Sequence, residues 1–157
     1  MNIKLLVVGK TDDKNLQALI EEYVKRVSFY VKFDVEIIPD IKNAKNLSVI
    51  QQKEKEGSLI LSKVSPSDWL ILLDEKGKSF SSTQFADFLQ KRMNSGIKNL
   101  FFVIGGPYGF SDEVYAKANG KISLSSMTFS HQMVRLFFIE QLYRGYTILR
   151  NEPYHHE

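Results

Sequence analysis

The 157-residue chain contains no cysteine, which excludes disulfide frameworks, thiolate zinc sites and cysteine nucleophiles together. Its three histidines, His131, His155 and His156, are too few and too clustered to suggest another metal site, so no metal is expected. Long hydrophobic runs are also missing. The most apolar stretches, residues 69–73 and 100–104, fall far short of the roughly 20 residues that span a bilayer, and no membrane partner is expected. The first residues turn polar after Gly9 without a small-residue cleavage site, so they read as a strand and the protein is expected in the cytoplasm. One-signed charge is scarce as well. Residues 1–78 carry 13 basic and 12 acidic groups and residues 79–157 carry 8 and 6, which is not the pattern of a polybasic nucleic-acid binder.

What the chain does have is 43% hydrophobic residues, enough for one continuous core in a length too short for two ordinary domains, so a single domain over 1–157 is expected. Residues 3–8 form an apolar run ending in Gly9, the pattern of a buried strand. Leu16, Leu19, Ile20, Tyr23, Val24 and Val27 recur at helical spacing. Phe33, Val35 and Ile37 alternate with polar residues in a half-buried strand that stops at Pro39. The Lys/Glu-rich residues 41–63 predict a solvated helix interrupted at Gly57. Two further buried strands, 69–73 and 100–104, flank a helical stripe of Phe85, Phe88, Leu89 and Met93 behind Ser81 and Ser82. Ser111 starts a helix that Gly120 can end, a short strand covers 122–124, and a last helix runs from about Ser130 to Tyr146. Continuous apolar strands alternating with helices predict an α/β fold with a mostly parallel sheet covered on both faces.

Three segments could carry chemistry. Gly105, Gly106, Pro107, Tyr108 and Gly109 follow a buried strand and precede a helix, the place where parallel sheets bind ligands; a tight turn without a ligand is the alternative. The loop lacks the G-x-G-x-x-G order of a dinucleotide site, which disfavours a Rossmann-type enzyme. Gly105 is expected to tolerate no side chain, on the reasoning that a ligand lies against its backbone. Leu124, Ser125, Ser126, Met127, Thr128 and Phe129 mix small hydroxylated residues with apolar ones and could hold a nucleoside, or could simply cap the next helix. The ending Tyr154, His155 and His156 offers proton-handling and stacking groups, but counts as a site only if it folds back onto the glycine loop; otherwise it is a frayed end. The last helix is apolar around most of its circumference, which calls for a central position or burial against a second copy. Glu140 and Arg144 read as a helix-surface pair, and His131 is a further candidate base or a structural histidine.

Five motifs in this order resemble the RlmH family over the whole length: residues 72–78, the loop 105–110, residues 124–129, the helix start 131–135 and the Pro153-Tyr154-His155 ending. The resemblance implies the SPOUT fold, whose C-terminal part, here about residues 70–157, threads a trefoil knot, a rare exception to unknotted connections. It also implies a homodimer and S-adenosyl-L-methionine bound by Leu73, Gly105, Leu124, Ser125, Ser126, Met127, Thr128 and Phe129. The implied reaction is methylation of N3 of a pseudouridine in 23S ribosomal RNA at the subunit interface of the assembled ribosome. Tyr154, His155 and His131 are then the candidate catalytic residues, and Arg135, Arg144 and His156 the candidate RNA contacts, His156 standing where the family commonly carries arginine or another basic residue. Ribose 2′-O-methylation by the same fold and a non-catalytic ribosome-binding factor are the alternatives.

Overall fold

The computed structural model describes residues 1–157. Five strands, β1 (Asn2–Val8), β2 (Phe33–Ile38), β3 (Trp69–Ser79), β4 (Asn99–Ile104) and β5 (Gly120–Ser123), pair in parallel in the order β2-β1-β4-β3-β5. Five helices connect or follow them: α1 (Lys14–Ser28), α2 (Val49–Ser62), α3 (Ser82–Asn94), α4 (Asp112–Lys117) and α5 (Met133–Leu149). Side chains alternate across each strand, and on the central strands β1 and β4 both faces are covered. Ile3, Leu5 and Val7 of β1 join a core with Val27 of α1, Phe85 and Leu89 of α3, and Phe138, Ile139 and Leu142 of α5. Leu6 and Val8 join the opposite core with Ile60 of α2 and Val114 of α4. Burial on both faces is why β1 and β4 read as unbroken apolar runs and not as alternation.

Local signals set most of the boundaries. Ser48 with Gln51 and Ser81 with Gln84 form capping boxes that start α2 and α3, each pair satisfying two otherwise orphaned amides. Ser130 accepts hydrogen bonds from the Met133 amide through Oγ (3.1 Å) and the Val134 amide through its carbonyl (3.0 Å). Ser130 thus caps the turn that leads into the last helix, which is regular from Met133. Gly120 opens β5 and does not end α4, which stops at Lys117.

Two departures matter for function. The charged stretch expected as a solvated helix is a 3-10 turn (Ala44–Asn46) followed by α2, and α2 has a buried face made of Glu56, Gly57 and Ile60. Strand β3 continues beyond Leu73 through polar residues to Ser79, with a register shift against β5 between Leu73 and Lys78. Helix α5 packs between α1 and α3, so central placement covers Phe138, Ile139, Leu142 and Tyr146. Met133 and Phe137, one turn apart, stay 41% and 38% exposed. No helix is long and apolar enough to cross a membrane.

Candidate functional site

Strands β3 and β4 are neighbours, and their pairing ends with Leu73 opposite Ile104, the last residue of β4. From β3 the chain leaves for α3 on one face of the sheet, and from β4 it leaves for α4 on the other. Adjacent parallel strands whose connections diverge in this way open a crevice beyond their ends, the usual ligand position in such sheets. A cavity of about 540 Å³ occupies that position, walled by residues 73–76 in the middle of β3, 104–110 from the last residue of β4 onward and 122–125 at and just past the end of β5. Residues 127–131 and Val134 close the remaining side.

Of the eight residues expected to bind a cofactor, Leu73, Gly105, Leu124, Ser125, Met127, Thr128 and Phe129 line this one cavity. Ser126 is exposed and lies off its wall. His131 is also on the wall, at its exposed side. Gly105 also meets a neighbour within its own loop. A Cβ there would come within 3.0 Å of Cε1 of Phe110. A substituent there requires the Phe110 ring to yield by a few tenths of an ångström.

Several wall residues escaped the sequence reading. The Tyr115 hydroxyl on α4 donates to Asp74 Oδ2, while Asp74 Oδ1 accepts the Lys76 amide at 2.9 Å. Both carboxylate oxygens are thus committed, which fixes the turn that β3 makes past the cavity. Burial, and then the hydrogen bond to Asp74, push the Tyr115 phenol well above its ordinary pKa, so it stays a proton donor. The acidic pair Asp74 and Glu75 directly after a buried strand was the available signal. No group of three or more His, Asp or Glu side chains comes together in a way that could hold a metal ion.

The C-terminal tail does not fold onto the glycine loop, and none of Tyr154, His155 and His156 touches the cavity of its own chain. It folds back along α5 instead. The Tyr154 hydroxyl donates to Glu140 Oε1 at 2.9 Å, its ring lies 4.7 Å from that of Tyr143, and the Arg144 guanidinium sits 4.7 Å over the same tyrosine. Arg144 Nη2 also donates to Glu140 Oε1 at 2.6 Å. Burial, followed by the hydrogen bonds to Tyr23 and Glu140, raises the Tyr154 pKa strongly and keeps the phenol protonated. His155 Nδ1 lies 3.3 Å from Arg144 Nη1. A guanidinium can only donate, so Nδ1 is the acceptor in that contact, and Nε2 lies 3.5 Å from Glu157 Oε1. His156 is exposed.

Arg135, expected as an RNA contact, is buried. It is 2% exposed, and its guanidinium donates to the carbonyls of Val8 (2.8 Å), Gly9 (2.9 Å) and His131 (3.1 Å) and to Thr11 Oγ1 (3.0 Å). Its charge is spent on tying the start of α5 to the end of β1. Arg144, with its side chain 24% exposed, remains at the surface but is engaged by Glu140 and the tail.

A doubly covered, all-parallel α/β sheet with a nucleoside-sized cavity beyond strands β3, β4 and β5 defines a ligand-binding enzyme scaffold. The chain belongs to the SPOUT methyltransferase family, whose model, described as "Predicted SPOUT methyltransferase", matches residues 1–155. That family implies the knotted C-terminal part. The chain is 76% identical to a protein of Flavobacterium psychrophilum and 61% identical to one of Parabacteroides distasonis, each match covering all 157 residues and the whole of the relative. Another, in Christiangramia forsetii, is 66% identical over 99% of each chain. All three are named "Ribosomal RNA large subunit methyltransferase H".

Proposed function

We propose that this chain is an S-adenosyl-L-methionine-dependent methyltransferase that modifies N3 of a pseudouridine in large-subunit ribosomal RNA, acting in the cytoplasm on the assembled ribosome as a homodimer. The observation that carries this reading is the convergence of the 73–76, 105–110 and 122–131 segments on one cavity in a chain of this family. The wall suits such a donor. Ile104, Ile122, Leu124, Phe129 and Val134 give apolar surface for a nucleoside base, the glycine loop brings backbone polar groups close, and Asp74 and Glu75 provide negative charge for a cationic ligand. When bound, S-adenosylmethionine supplies an electrophilic methyl group on a positively charged sulfur.

The protein's own work is to position the base and manage the N3 proton. N3 faces its pairing partner in a duplex, so the target nucleotide has to be unpaired or splayed out. Tyr154, held protonated against Glu140, acts as a stacking surface and hydrogen-bond donor and not as the base. His155 is the candidate to handle the N3 proton, and its Nδ1 is engaged by Arg144 in the free chain. Because the tail lies off its own cavity, this reading has it serve the cavity of a second copy. The exposed Met133 and Phe137 face of α5, beside a smaller cavity of about 370 Å³ shared with α3, is the surface proposed to receive that copy.

The test is transfer of a labelled methyl group to intact ribosomes and to separated subunits, with nucleoside mass spectrometry of the product. A base-methylated pseudouridine from intact ribosomes is expected. A ribose-methylated product would replace this chemistry with 2′-O transfer, and failure to bind the donor would leave a non-catalytic ribosome-binding factor.

A further inference from the structure

Glu56 is the only buried carboxylate of the chain, 3% exposed, and it lies outside the cavity on the far side of the glycine loop. Its carboxyl occupies the space a side chain at Gly106 would fill: a Cβ there would lie 2.6 Å from Oε1 and 2.7 Å from Oε2. The next residue, Gly57, makes the matching approach at the other end of the loop. A Cβ on Gly57 would fall 2.5 Å from Oγ of Ser111, the cap of α4, and 3.0 Å from Val114 Cγ2. One turn of α2 thus backs both ends of residues 106–111 while the cavity lies in front of them. The carboxyl is poorly satisfied. Oε2 accepts a 3.4 Å hydrogen bond from Gln52 Nε2, and Oε1 is buried without a partner. A helix that only needed solubility there would expose the acid, as it does Glu54.

We infer that Glu56 is a positioning residue for the methyl-donor loop, its carboxyl packed on Gly106 fixing the backbone of residues 105–110 in the shape that the donor binds. This rests on the donor reading of the cavity proposed above. Burial chiefly, and also the nearby Asp40, move the Glu56 carboxyl above its ordinary value of 4.5, with the Gln52 hydrogen bond opposing. The groups that act on it are therefore Gln52 on its own helix and Asp40 after β2; the loop and α4 present Gly106, Ser111 and Val114, none of which titrates. An acid with a raised pKa is neutral at low pH and ionises as pH climbs through the raised value. An ionised carboxylate with one unpartnered buried oxygen draws in water and displaces what it packs against, here Gly106. Donor affinity is accordingly highest below the folded-state pKa and falls as pH rises through it.

The experiment is calorimetric titration of S-adenosylmethionine into the parent protein and Glu56→Gln from about pH 5 to about pH 8, where a single linked proton changes affinity by at most about tenfold per pH unit. Glu56→Gln, which keeps the shape without the charge, should match the parent at the low end and stay flat while the parent weakens. In methyl transfer, Glu56→Ala should raise the donor KM by about tenfold or more with kcat at saturating donor kept within about twofold, the signature of lost binding and not of lost chemistry. Equal pH slopes in parent and Glu56→Gln, or an unchanged donor KM in a folded Glu56→Ala, overturn the inference. If Glu56→Ala does not fold, the comparison of pH slopes decides alone. A parent that binds no donor at any pH overturns the donor reading itself, and this inference with it.

Discussion

Arg135 offers the sharpest separation between a structural and an RNA-contacting arginine. Replacing it with methionine keeps much of the apolar stem and removes a guanidinium that donates to Val8, Gly9, Thr11 and His131. Hydrogen bonds to charged groups are worth roughly 1.5–3 kcal/mol each, and the buried carbonyls of Val8 and Gly9 lose the guanidinium. Against this, the variant is relieved of burying a cation, a cost visible in the lowered Arg135 pKa, caused first by burial and partly offset by Asp12 and Asp40. Two buried carbonyls left unsatisfied at about 1–3 kcal/mol each, together with the lost contacts to His131 and Thr11, leave a net cost of roughly 3–5 kcal/mol after that offset. At about 2–4 °C per kcal/mol for a chain of this size, Arg135→Met should lower the melting midpoint by roughly 6–20 °C. Scanning calorimetry measures the shift, and methyl transfer assayed well below both midpoints should keep near-parent specific activity. An unchanged midpoint with abolished transfer to ribosomes would refute the reasoning and return Arg135 to the RNA interface.

Two further outcomes follow from the last helix and the tail. Phe138, fully buried, should lose about 3–5 kcal/mol on truncation to alanine. Phe137, 38% exposed and packed 4.9 Å from the Phe129 ring, should lose only about 1 kcal/mol but weaken self-association in sedimentation, and equal stability losses would contradict this division. Truncation before Tyr154 should leave S-adenosylmethionine binding intact, because no tail residue lines the cavity, while transfer to ribosomes falls by about 10²- to 10⁴-fold. Parent-rate methylation by the truncated protein would reduce the tail to a frayed end.

The parts of the fold legible in the sequence were those specified by short-range pattern. The apolar runs of β1 and β4 announced strands buried on both faces, and the loop after β4 could be placed at a sheet's carboxyl edge without knowing the topology. Strand order could not be read this way. That β3 lies between β4 and β5, and so brings residues 73–76 beside 105–110 and 122–125, depends on crossover connections that periodicity does not encode. The same limit applies to the tail, whose destination is set by Glu140, Tyr143 and Arg144 on another element.

Charge was the most misleading signal, for a physical reason. Arg135 follows a helix start and Glu56 ends a Lys/Glu run, so both resemble solvated groups when only neighbours in sequence are counted. Each is buried because a backbone comes close to it: carbonyls at the end of β1 for the arginine, and the Cα of Gly106 for the glutamate. The clue that survives in the sequence is Gly57. A glycine inside a helix costs about 1 kcal/mol relative to alanine, so one retained in the middle of α2 marks a face against which another segment is pressed. That segment is the cap of α4, and the acid on the same face then has to be read together with the loop that precedes it. On this argument α2, which contributes nothing to the cavity wall, belongs to the site through its back.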